Sequence, residues 1–268
     1  MSFRRSFEVA LLAFGISFYA APAFPREVGS FDRTLRVTGA VDLEVATGAG
    51  HITVRQGSGN SVHVHGIISA SDWDFRGAEQ RAREIERNPP IYQNGNSIRV
   101  ERMSDYSGRN LSISYEIETP AETSVRARTG SGEETVEGLR GPVTASTGSG
   151  SIRVSSISAE VRADTGSGGI ELENIQGRVS ASTGSGGIRG RNLMAEVVAR
   201  TGSGGVQLQL PANGGFDLHA RTGSGGVTVG PPITMDSFYT NRHEVRGRIR
   251  GGGPLLELTT GSGGVDVE

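Results

Sequence analysis

The phrase Thr-Gly-Ser-Gly recurs through this chain. It begins at Thr129, Thr147, Thr165, Thr183, Thr201, Thr222 and Thr260, with a variant, Thr47-Gly48-Ala49-Gly50, near the start. The first five copies are 18 residues apart, the next interval is 21 and the last is 38. Self-similarity at a period near 20 is the signature of a stacked solenoid. It outweighs composition, since 41 glycines among 268 residues would otherwise point towards disorder.

Alignment on the threonine exposes a template. Four residues before it stand Val125, Val143, Val161, Val179, Val197, Leu218 and Leu256; two before it stand alanines from Ala127 to Ala220, then Leu258. Five after it the position is Ile or Val, from Ile52 to Val265, except for Glu134. Seven after it is again aliphatic except for Gly190, and ten after it come Leu139, Ile157, Ile175 and Leu193. Alternation on both sides of a glycine turn predicts strand, turn, strand. The corner glycines are expected to supply positive φ, and the serines between them to form a polar ladder. One coil buries too few aliphatic groups to offset the entropy of ordering 18 residues, so coils must stack. The fold class expected is therefore all-β: a single-stranded β-solenoid of about 18-residue coils over 121–268. An insertion near 230–253 carries Phe238, Tyr239, His243, Arg242, Arg246, Arg248 and Arg250. It reads either as a binding loop or as a strand excursion covering the open end of the stack. The final Val265-Asp266-Val267-Glu268 reads as an exposed edge whose acids discourage end-to-end pairing.

The part before residue 121 is less regular. Arg4 and Arg5 precede an apolar run from Val9 to Ala21, and Ala21-Pro22-Ala23 supplies a small-residue cleavage site. Residues 1–23 thus read as a secretory signal peptide, and Arg4-Arg5-Ser6-Phe7 also looks like a twin-arginine signal. With no second long apolar run, no transmembrane segment is expected in the mature chain 24–268. Its first part, 24–120, alternates as half-buried strands with one short helix near 78–88, stopped by Pro89-Pro90. His63 and His65 share one strand face and could hold a metal, or could be two solvated imidazoles. No third ligand follows from spacing. Asp72 and Asp74 flank the only tryptophan, Trp73; that trio could bind a sugar ring or anchor the helix.

Several chemistries are excluded by residue type. A phosphate loop occurs once, leads into a helix and often uses lysine; here the motif is serial, leads into strands, and all 27 basic residues are arginine. Calcium-binding β-rolls repeat at nine residues with an aspartate in the turn. With no cysteine, disulfides and thiolate metal sites are absent, and a net charge of −2 gives nucleic acid no attractive field. A β-helix glycosidase or lyase needs clustered carboxylates on an outer face, whereas Glu133, Glu134, Asp164, Glu171 and Glu173 are scattered, with no carboxylate pair at equivalent positions of adjacent coils.

The segment from Leu43 to Ile52, the Ser114-Tyr115-Glu116-Ile117-Glu118-Thr119-Pro120 strand, the serial turns and Arg250-Gly251-Gly252-Gly253 together resemble the bacterial putative-adhesin domain family. That resemblance implies an envelope β-solenoid and transfers no catalytic motif. The reading is then a non-catalytic exported protein of the periplasm, cell surface or extracellular space, acting as a scaffold or adhesion-like binding module. Expected partners are polysaccharide, cell wall or an envelope protein; no catalytic residue, cofactor or metal is expected. The alternatives are a carbohydrate-active β-helix enzyme and a ligand-sensing envelope protein. Any site should lie where the rhythm fails: Asp72 to Asp74, Glu133-Glu134, or the insertion before Thr260.

Overall fold

A computed structural model of the protein describes residues 26–71, 75–103, 111–230 and 233–268. The leader expected over 1–23 and the Asp72-Trp73-Asp74 segment lie outside them. The chain begins with β1 (Arg26–Arg36), β2 (Val41–Ala49), β3 (Ile52–Gln56), β4 (Ser61–Ala70), helix α1 (Phe75–Arg87), β5 (Ile91–Asn94), β6 (Ser97–Val100) and β7 (Leu111–Thr119). The regular part follows as β8 (Thr123–Ser131), β9 (Glu134–Glu137), β10 (Val143–Thr147), β11 (Ile152–Ile157), β12 (Val161–Thr165), β13 (Ile170–Ile175), β14 (Val179–Thr183), β15 (Ile188–Leu193), β16 (Val197–Thr201) and β17 (Val206–Gln209). It ends with β18 (Phe216–Thr222), β19 (Val227–Val229), β20 (Met235–Thr240), β21 (Glu244–Ile249), β22 (Leu255–Thr260) and β23 (Val265–Val267).

The protein is an all-β solenoid. Each coil gives one strand to a first sheet, ordered β1-β4-β7-β3-β9-β11-β13-β15-β17-β23-β19. It gives another to a second sheet, ordered β20-β21-β18-β22-β16-β14-β12-β10-β8-β2-β6-β5. Neighbouring coils pair in parallel, repeat position against repeat position: Val161 lies against Val143 and Val179, and Ile170 against Ile152 and Ile188. The inward template positions close the interior between the sheets. Val161, Ala163, Ile170, Leu172 and Ile175 of one coil are all buried, as are their counterparts above and below.

Stacking does not follow chain order at either end. The β2–β3 coil is sandwiched between the later β6–β7 and β8–β9 coils. At the other end β22–β23 slides between β16–β17 and β18–β19. The C-terminal strand, expected at an edge, is therefore interior, and Val265 and Val267 are fully buried. The long insertion makes this possible. After β19 the chain turns back as the antiparallel β20–β21 hairpin, covers the edge of β18, and re-enters as β22. This segment therefore forms the covering strand excursion on the second sheet.

Antiparallel strands also close the opposite end. There β1 pairs with β4, β4 with β7, and β5 with β6. Phe31 lies across Gly66, where a Cβ would fall 2.2 Å from its ring, and meets Tyr115 edge-on at 6.4 Å. Helix α1 buries Ala78, Ala82 and Ile85 and packs against β1. Its C-terminal carbonyls, Glu86 O and Arg87 O, accept from Arg33 Nη2 at 3.0 and 3.3 Å, a cation at the negative end of the helix dipole. No helix among the described residues is long and apolar enough to cross a membrane.

Candidate functional site

The repeated phrase is the joint between coils. Its threonines are buried, whereas the serines are exposed. The polar ladder expected of the serines is built by the threonines. Thr165 Oγ1 donates to Gly150 O at 2.9 Å, Thr183 to Gly168 at 2.8 Å and Thr201 to Gly186 at 2.7 Å. The ladder follows the stack, not the chain: Thr260 donates to Gly204 and Thr222 to Gly263, both at 2.7 Å. The corner glycines differ from expectation too, because in the seven Thr-Gly-Ser-Gly copies they do not take positive φ; only Gly50 of the early variant does, at 134°. A Cβ on Gly168 would sit 1.8 Å from Gly150 O, so glycine is required by the approach of the next coil. Left-handed backbone belongs instead to the other corner, at Gly138 (φ 77°), Ser156 (57°), Asn174 (54°) and Asn192 (52°), where Asn192 Nδ2 donates to Asn174 Oδ1 at 2.7 Å. Asparagine tolerates that region better than most residues.

The irregular positions fare differently. Glu134 points into the core between Ile52 and Ile152, fully buried, and neither carboxyl oxygen has a hydrogen-bond partner. Burial raises its pKa to about 8, opposed more weakly by the backbone of Ser146 and Thr129. Its neighbour Glu133 turns outward to Arg153. His63 and His65 both contact Asp32 Oδ1, at 3.3 and 3.0 Å, and His63 Nδ1 also meets Thr34 Oγ1 at 3.2 Å. Among the described residues no group of three or more His, Asp or Glu is placed to hold a metal ion. In the hairpin, Glu244 gathers Arg246, His219 and Arg221, and Arg246 above all holds its carboxyl below the usual range.

A groove of about 480 Å³ lies on the outer face of the first sheet. Parallel register makes it. Positions six residues after each threonine form one row, Arg153, Glu171, Arg189 and Gln207; positions eight after form another, Ser155, Glu173, Arg191 and Gln209. Both rows run along the solenoid axis, with Glu268 at one end of the groove. Glu171 joins Arg153 at 3.0 Å and Arg189 at 3.6 Å, and Glu173 joins Arg191 at 3.2 Å. Glu171, and then the charge of Glu133, raises the Arg153 pKa above its ordinary value. A smaller hollow of about 250 Å³ flanks the first row, floored by Gly187 and Gly205.

Chemically this face offers planar donors and acceptors in fixed register on a rigid support. Glu171 and Glu173 lie two residues apart on one strand face, a juxtaposition that spacing between coils did not bring out. Both are about half exposed. The signal for the groove was available in the sequence, as alternating Arg and Glu at one repeat position.

Residues 91–268 match the family described as Toastrack DUF4097, in keeping with the resemblance drawn from the serial turns. Among solved structures, the chain is similar to a putative cell adhesion protein from Clostridium sporogenes at 13% identity, covering 91% of this chain and 99% of that one, with a TM-score of 0.44. It is similar to a putative adhesin from Bacteroides fragilis at 11% identity, with 89% and 97% covered and a TM-score of 0.41. A putative lipid binding protein from Parabacteroides distasonis is similar at 10% identity, with 90% and 97% covered and a TM-score of 0.41. No curated protein matches the chain.

Proposed function

The chain belongs to the Toastrack DUF4097 family, and we propose that it is an exported, non-catalytic binding module that presents the outer face of its first sheet to an envelope or cell-surface polymer. The observation that carries this reading is the groove of about 480 Å³ held between two side-chain rows on the parallel strands β11, β13, β15 and β17. Because the backbone beneath is tied into the sheet and ion pairs link neighbouring coils along each row, the face is preorganised and little ordering entropy is lost on binding. Export rests on Arg4-Arg5, the apolar run to Ala21 and the Ala21-Pro22-Ala23 site.

The test is a glycan and cell-wall binding screen with the mature protein, read for both retention and released product. Retention without product is expected; no retention on any surface sinks the proposal. A second reading, a carbohydrate-active enzyme, is favoured by one observation, the presence of Glu171 and Glu173 together in the groove. Released oligosaccharide that disappears in Glu171→Gln or Glu173→Gln is its signature.

A further inference from the structure

Resting on the binding-module reading, the groove chemistry also indicates what kind of polymer fits. Its charges balance: Arg153, Arg189 and Arg191 face Glu171, Glu173 and Glu268. Most are already committed, in the chain Arg153–Glu171–Arg189 and the pair Arg191–Glu173. A polyanion would have to displace carboxylates from the arginines and would still face Glu171, Glu173 and Glu268. A polycation meets the mirror-image obstacle. Gln207 and Gln209, by contrast, have no side-chain hydrogen bond among the described residues. Each offers one acceptor and two donor hydrogens, a match for hydroxyls that both donate and accept.

Three further features narrow the occupant. The groove lining contains no aromatic side chain, so no sugar-stacking platform concentrates affinity at one subsite. The backbone groups of β11, β13, β15 and β17 are used between strands, so a peptide cannot add to this face as a further strand. Finally, the rows run across four successive coils, repeating similar polar contacts at about 4.8 Å intervals along the axis. We propose that the groove binds an uncharged, unbranched polysaccharide lying along the solenoid axis, its hydroxyls bridging the existing arginine–carboxylate pairs and the two glutamines.

The experiment titrates the mature protein with unbranched neutral oligosaccharides of increasing length (glucan, mannan, xylan and galactan), with polygalacturonate and a polyamine glycan as charged comparators. Affinity for at least one neutral series should rise roughly tenfold as the oligomer grows to span the coils, and change little between low and high salt. The double variant Gln207→Ala, Gln209→Ala should weaken that binding about tenfold, the value of about one hydrogen bond to an uncharged partner, without altering the melting curve. The variant Ser180→Ala, Ser182→Ala, on the other sheet, should bind as the parent does. Preference for a charged comparator, or loss of binding in high salt, overturns the inference. So does failure of every neutral series while the protein is still retained on cell wall, an outcome that leaves the broader module reading standing. Absence of retention on any surface removes both.

Discussion

Replacing Glu134 by isoleucine should stabilise this protein, and by an amount that depends on pH. The carboxyl occupies a position that is isoleucine in the coils on either side, with Ile52 and Ile152 as its register partners. Burial lifts its pKa from 4.5 to about 8. The sign follows from linkage. Above pH 4.5 the unfolded chain has released the proton that the folded chain keeps, so stability falls as pH rises, until the folded carboxyl also ionises near pH 8. At about 1.4 kcal/mol per pH unit, the full interval is worth on the order of 5 kcal/mol, and about 3 kcal/mol is already lost at pH 7. Isoleucine abolishes this slope and adds apolar burial; Glu134→Gln abolishes the slope but leaves a buried amide without partners. Urea unfolding followed by circular dichroism at intervals from pH 5 to pH 9 measures all three. The parent curve should decline relative to both variants and level off above pH 8. Parallel curves for parent and Glu134→Gln, or an isoleucine variant less stable than the parent at pH 8, would refute the placement of this side chain in a dry core.

Two glycines in neighbouring turns should respond oppositely to alanine. In Gly168→Ala the Cβ meets Gly150 O at 1.8 Å, so stability should fall by at least the roughly 1–3 kcal/mol typical of one overpacked group, read as a sharply lowered melting temperature. In Gly187→Ala it meets only Gly205 O at 3.5 Å, and thermal unfolding should be almost unchanged. Thr165→Val keeps the shape but removes the donor to Gly150 O, which should lower stability by about 1–2 kcal/mol in a denaturant titration.

Much of the interior was legible because strand alternation and the turn are local. Val161, Ala163, Ile170, Leu172 and Ile175 could be assigned to the core from spacing alone, and all are buried. What spacing could not distinguish was why each turn residue is there. Positive φ and close approach both select glycine, and only the position of the next coil separates them. Nor could it give the order of coils, because repeats of one template fit against any other copy equally well. The insertion supplied the length for β22–β23 to step back past β18–β19, but length alone permits either placement. The groove was half legible: Arg153, Glu171 and Arg189 share a repeat position, yet reading them as one ionic row requires knowing that their coils are adjacent.

Stacking order underlies the groove, the threonine ladder and the burial of the C-terminal strand, and it can be measured by cross-linking. The chain has no cysteine, so pairs can be introduced without background. Arg200 lies beside Thr259, and Thr259 beside Arg221, each pair one strand apart on the outer face of the second sheet. Adjacent strands place Cα atoms about 4.8 Å apart, within the roughly 4.4–6.8 Å a disulfide spans, whereas two strand spacings exceed it. Arg200→Cys with Thr259→Cys, and Thr259→Cys with Arg221→Cys, should oxidise readily in the folded protein, while Arg200→Cys with Arg221→Cys should not. Efficient closure of the Arg200–Arg221 pair, with failure of the Arg200–Thr259 pair, would show that the coils stack in chain order and contradict the architecture described above; the Thr259–Arg221 pair closes in either order and serves as the control.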